Sequence, residues 1–179
     1  DWFETDVTRI GAEQEMVLVD RNSFKPAPVN MDALENMKEH DWVEPELAKF
    51  NIEINLSPRE FTGQCIREMG QEALARLAII EESLRPFNAT PLLIGILPTL
   101  RKFDLELHNL TPLKRYKALM KAIDDQLLGE SYELRINGID ELLLKHDSPM
   151  LEACNTSFQV HLQVSPHEFV PMYNIAQAL

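Results

Sequence analysis

The chain has 179 residues, 45% hydrophobic and 26% charged, which is enough for one well-buried domain. Its formal net charge of -12 leaves no basic stripe for neutralising phosphates, so a nucleic-acid partner is not expected and an anionic ligand would need an intervening cation. No apolar run nears the roughly 20 residues of a membrane span, no secretion signal is visible, and Cys65 and Cys154 lack metal-type spacing, so a soluble cytoplasmic protein without a disulfide framework is expected.

Taken in order, residues 10–20 read as a strand whose period of two sets Gly11, Glu13 and Glu15 against Ile10, Ala12, Met16 and Leu18. Residues 21–30 hold two prolines and several turn formers, so they form a surface loop, and Asn30 is placed to cap a short helix over 31–40. A second strand over 51–57 sets Asn51, Glu53, Asn55 and Ser57 opposite Ile52, Ile54 and Leu56, and Pro58 is expected to end it. The strongest helix runs from Thr62 or Gly63 to about Arg85, before Pro86. Its apolar positions Ile66, Met69, Ala73, Leu77, Ile80 and Leu84 recur at spacings of three and four, as a helix packed on a sheet requires.

Residues 91–97 are apolar throughout and predict a buried strand. Thr111 and Pro112 predict the cap and first turn of a helix reaching Gly129. Residues 132–136 followed by Asn137-Gly138 predict a hairpin. In the strand over 155–164, Thr156, Phe158, Val160, Leu162 and Val164 alternate with Asn155, Ser157, Gln159, His161 and Gln163. That polar face carries amides and an imidazole but no Lys, Arg, Asp or Glu, unlike most solvated faces. A last helix begins near Pro171. This order predicts one α+β domain over 1–179, mainly antiparallel, with helices packed on the apolar face of the sheet.

If the three amphipathic strands share a sheet, three carboxylates, an imidazole and several amides converge. A Glu-x-Glu pair on one strand face is about 7 Å apart, close enough to flank one divalent ion. Close carboxylates repel, and a hard cation such as Mg²⁺ or Mn²⁺ relieves that repulsion. Glu13, Glu15 and Glu53 are therefore the metal candidates, with Gln159 and His161 as further ligands or as donors to phosphate. His40, His108, His146 and His167 show no zinc-type pairing, and no His-Glu-x-x-His, phosphate-binding Gly loop or Gly-x-Ser-x-Gly occurs.

The segment Gly-Ala-Glu-Gln-Glu-Met-Val-Leu-Val-Asp at 11–20 resembles the opening strand of the glutamate-cysteine ligase type 2 (carboxylate-amine ligase) family, Gly-x-Glu-x-Glu followed by apolar residues. Ile52-Glu53-Ile54, the block at 95–100, Arg115-Tyr116 and the segment 157–163 resemble four further blocks, in the family's order. The resemblance implies a glutamine-synthetase-like fold, a curved antiparallel sheet around ATP and two or more Mg²⁺ ions. It implies phosphorylation of an amino-acid carboxylate, typically the glutamate side chain, followed by attack of an amine such as that of cysteine. Carried over by position, Glu13, Glu15 and Glu53 would hold metal, Gln159 and His161 would face metal or nucleotide phosphate, and Arg115 and Thr99 would contact the acceptor substrate.

The family pattern continues beyond the histidine strand, so the chain reads as the N-terminal part of a longer catalytic domain, inactive alone. Its 95–100 block is more apolar than the family's polar version, which leaves the acceptor amine open. The expected partners are small molecules, and self-association into a homo-oligomer is left open. Two other functions stay compatible with these residues: a non-catalytic metal- or nucleotide-binding relative, and a metal-dependent hydrolase using Glu13 and Glu53.

Overall fold

The computed structural model describes residues 4, 6–128, 130–146 and 149–179. Strand β1 (Arg9–Asp20) comes first, then helix α1 (Asn30–Glu35), β2 (Val43–Pro45), β3 (Asn51–Glu60) and the long helix α2 (Cys65–Leu84). There follow β4 (Ala89–Leu92), α3 (Lys114–Leu127), the hairpin β5 (Tyr132–Asn137) and β6 (Glu141–His146), α4 (Met150–Ala153), β7 (Phe158–Leu162) and α5 (Phe169–Ala176). The main sheet is antiparallel in the order β2-β3-β1-β4, and β7 adds to β1 on the same edge as β4. Helices and antiparallel sheets thus combine in the α+β class expected.

β1 is the centre because both halves of it are useful. Along Met16–Val19 every side chain is buried, as befits a strand covered on both faces. Met16 and Leu18 join Ile10, Ala12, Ile52, Ile54, Leu56, Met69, Ile80 and Leu84 in the core under α2, and Val17 and Val19 join Phe50, Leu97, Leu105, Met150 and Cys154 on the opposite face. Only the first half of that second face stays open, and it carries Gly11, Glu13 and Glu15.

Several boundaries differ from the sequence expectation. β3 runs through Pro58 to Glu60, because a bulge sets Gly11 opposite both Ser57 and Pro58, between the pairs Ile10 with Arg59 and Ala12 with Leu56. A residue without an amide proton is tolerated where a bulge already interrupts the ladder. Asn30 does not cap α1: it is fully buried inside the first turn, Val29 precedes it, and the helix stops at Glu35. Thr111 is likewise buried, and α3 starts only at Lys114; the expected stop at Gly129 lies outside the described residues.

The buried strand expected over 91–97 is limited to Ala89–Leu92, since Ile94 and Gly95 turn away to accept hydrogen bonds from Thr156. The hairpin forms, but β5 and β6 make a separate two-stranded sheet. The strand expected over 155–164 shortens to Phe158–Leu162, and its apolar side is open rather than buried, with Phe158 53%, Val160 59% and Leu162 37% exposed. The reason is the path of α2, which packs on β3 and β4 rather than behind β7. Ile66, at the start of α2, is also exposed.

Candidate metal centre

Directly opposed residues of antiparallel strands project from the same face, so register gathers the strand-borne residues of the site. Glu15 lies across from Glu53, Glu13 from Asn55 on one side and Gln159 on the other, and Gly11 from His161. The strands β3, β1 and β7 are adjacent, so their polar faces form one surface. β2 extends it, with Glu44 across from Glu53.

A fifth acid comes from outside the ladder. The linker between β2 and β3 carries Glu46, and Glu15, Glu46 and Glu53, all half-buried, each offer a carboxylate oxygen within 4.8 Å of the other two. Glu15 is the most firmly held of the three. The Ser157 amide and hydroxyl donate to its Oε2 at 2.7 and 3.2 Å, and Gln159 Nε2 donates to its Oε1 at 3.2 Å. The Leu47 amide donates to Glu46 Oε2 at 3.3 Å.

Every electrostatic influence on Glu53 favours the neutral acid. Burial first, then the negative charges of Glu13, Glu46, Glu15 and Glu44, push its carboxyl up to about 7. Burial also raises Glu46, opposed by the Leu47 amide and aided by Glu15. Positive charge stays at the margin. Arg115 lies 3.7 Å from Glu44 Oε2 and stacks over the Tyr116 ring, whose hydroxyl donates to the Pro45 carbonyl at 2.7 Å. His161 Nε2 lies 3.6 Å from Glu13 Oε1.

This donor set fits a hard divalent cation. Three carboxylate oxygens with no nitrogen or sulfur among them suit Mg²⁺ or Mn²⁺ better than Zn²⁺, and a dication would relieve the repulsion that raises Glu53. The arrangement can therefore hold a metal at the floor of a polar sheet face, with an imidazole and a guanidinium at its rim.

Of the residues singled out from the sequence, the fold brings Glu13, Glu15, Glu53, Gln159 and His161 onto one face. Gln159 there donates its amide to Glu15, and Glu13 sits beside His161 rather than in the group of three. Arg115 lies beside β2 at the edge of the face. Thr99 is not brought to it: its hydroxyl donates to the Phe24 carbonyl at 2.5 Å, in the turn beyond the Asp20 end of β1. Glu46 was missed. The only hint was the acidic run Glu44-Pro45-Glu46, which periodicity could not orient because a linker has none.

A family model described as glutamate-cysteine ligase family 2 matches residues 9–179. No curated protein and no solved structure matches the chain.

Proposed function

Because the chain belongs to glutamate-cysteine ligase family 2, a ligase-type role follows in general terms, and we propose that the polar face of β3, β1 and β7 is the metal-assisted site of an ATP-dependent carboxylate-amine ligase. The observation that carries this reading is the group Glu15, Glu46 and Glu53, three half-buried residues whose carboxylate oxygens lie within 4.8 Å of one another.

In this reading Glu15, Glu46 and Glu53 hold Mg²⁺ or Mn²⁺, and Glu13 and His161 lie where a second ion or a nucleotide phosphate is met. Held there, a divalent ion would supply the positive charge that stabilises phosphoryl transfer. The chain's own groups supply position. Ser157 and Gln159 fix the Glu15 carboxylate, and Arg115 at the rim is suited to a substrate carboxylate. The donor carboxylate, a glutamate side chain in the simplest case, attacks the γ-phosphorus of ATP and ADP leaves. The amine nitrogen then attacks the acyl carbon, phosphate leaves, and the amine proton passes to solvent or to a carboxylate of the face. The product is a γ-glutamyl amide.

The test is a coupled assay of ADP release by the full-length protein with Mg²⁺, glutamate and a panel of amines that includes cysteine. ADP release that requires both amino compounds and falls at least about 100-fold in Glu53→Gln supports the reading. Amide or ester hydrolysis without ATP, or nucleotide binding without turnover for any amine, would overturn it.

A further inference from the structure

Glu46 is the one acid of the group that no strand positions, so something else must. The linker that carries it is gripped from two sides. Thr111 Oγ1 donates to the Glu46 carbonyl at 2.6 Å, and the Thr111 amide donates to the Leu47 carbonyl at 2.8 Å. Asn30 Nδ2 donates to Thr111 Oγ1 at 2.9 Å and also lies 3.3 Å from the Ala48 carbonyl and 3.2 Å from the Asn51 carbonyl. The Lys49 amide donates to the Asn109 carbonyl, and the Lys49 carbonyl accepts from the Asn30 amide.

Asn30 and Thr111 are both fully buried, although they come from the first turn of α1 and the segment before α3, 81 residues apart. Neither does what its sequence position predicts, which is to cap a helix. A helix cap facing solvent needs no burial. Here two short polar side chains instead occupy the interior to bind the backbone of one linker.

We propose that Asn30 and Thr111 form a buried clasp whose function is to position Glu46 for the divalent cation, making both of them positioning residues of the metal centre. The inference rests on the reading of Glu15, Glu46 and Glu53 as metal ligands, and goes beyond it by naming what sets the geometry of the third. The Thr111 hydroxyl is the hinge of the clasp, since it accepts from Asn30 and donates to the carbonyl of Glu46 itself. Its loss removes the hydrogen bond to the Glu46 carbonyl while leaving Glu15 and Glu53 on their strands. Groups that orient metal ligands from behind are typically worth about 10- to 100-fold in metal affinity.

The test is calorimetric titration of Mn²⁺ into the full-length protein and four variants, with thermal unfolding measured in parallel. Thr111→Val keeps the shape and removes the hydroxyl, Thr111→Ser restores it, and Glu46→Gln removes the ligand. Ile80→Val, in the core under α2 on the far side of the sheet, reports general loosening. The expected result is Mn²⁺ affinity lowered about 10-fold or more in Thr111→Val and in Glu46→Gln, and wild-type affinity in Thr111→Ser and Ile80→Val. Wild-type affinity in Thr111→Val alongside a weakened Glu46→Gln would overturn the clasp and leave the metal site standing. An equal loss in Ile80→Val would reduce the clasp to ordinary stability. No Mn²⁺ binding by the wild-type protein would overturn the metal reading and the clasp together.

Discussion

Replacing Glu53 with Gln should stabilise the metal-free protein at pH 8, although it removes a residue from the centre of the candidate site. Burial and then the neighbouring carboxylates raise Glu53 from 4.5 to about 7. A raised pKa means that the folded state holds the proton more tightly than the unfolded state, so stability is fullest below pH 4.5 and declines as pH rises to about 7. At about 1.4 kcal/mol per pH unit that gap would amount to roughly 3 kcal/mol, which solvent screening of a part-exposed group cuts to about 1–2 kcal/mol. Gln has nearly the same shape and no charge to desolvate. Thermal unfolding with a chelator present should therefore show Glu53→Gln above wild type by about 2–8 °C at pH 8, and level with it near pH 4.5. Mn²⁺ at about 100 times its Kd should add about 2.7 kcal/mol to the wild type alone, which reverses the order. Equal stability of the two proteins at pH 8 without metal, or a loss in the variant, would refute the reasoning.

Three further substitutions probe the frame of the site. Phe50→Ala empties a fully buried position in the core beside the open face and should cost about 3–5 kcal/mol in denaturant unfolding. Glu72 behaves oppositely to Glu53. Burial alone would raise it, but the Ser57 amide and hydroxyl, Arg76 and Arg59 outweigh that and hold it below 4.5. The stability it contributes is present at neutral pH and lost as pH falls below 4.5. Glu72→Gln should cost about 1–3 kcal/mol at pH 7 and less at pH 3, as denaturation at the two pH values would show. Gly11→Ala should fold within about 0.5 kcal/mol of wild type, because the added Cβ meets Pro58 and His161 at 3.9 and 4.0 Å, ordinary contact. A loss above about 2 kcal/mol in the same measurement would mean that the bulge at Gly11 is tighter than these distances allow.

What could be read from the sequence follows from how each side chain is aimed. Glu13, Glu15, Glu53, Gln159 and His161 lie on strands, where direction alternates residue by residue, so a local pattern assigns each to a face. Which strands are neighbours was an assumption, and the pairing of β1 with β3 and β7 supplies it. Thr99 and Glu46 lie on connecting segments, where direction depends on bonds to distant residues: the Phe24 carbonyl for one, Thr111 and through it Asn30 for the other. Those bonds join positions up to 81 residues apart, and nothing within a few residues of Glu46 announces them. The open back of β7 has the same origin. Phe158, Val160 and Leu162 alternate as a buried strand should, but burial depends on where α2 crosses the sheet, and α2 lies over β3 and β4. Beyond the strands, Ser157 grips Glu15 from the segment before β7, whereas Glu46, the Leu47 amide, Thr111 and Asn30 all meet at the linker between β2 and β3. On the metal reading proposed above, that linker is accordingly a place where a relative of this chain could change metal affinity while keeping every residue of the Gly-x-Glu-x-Glu strand.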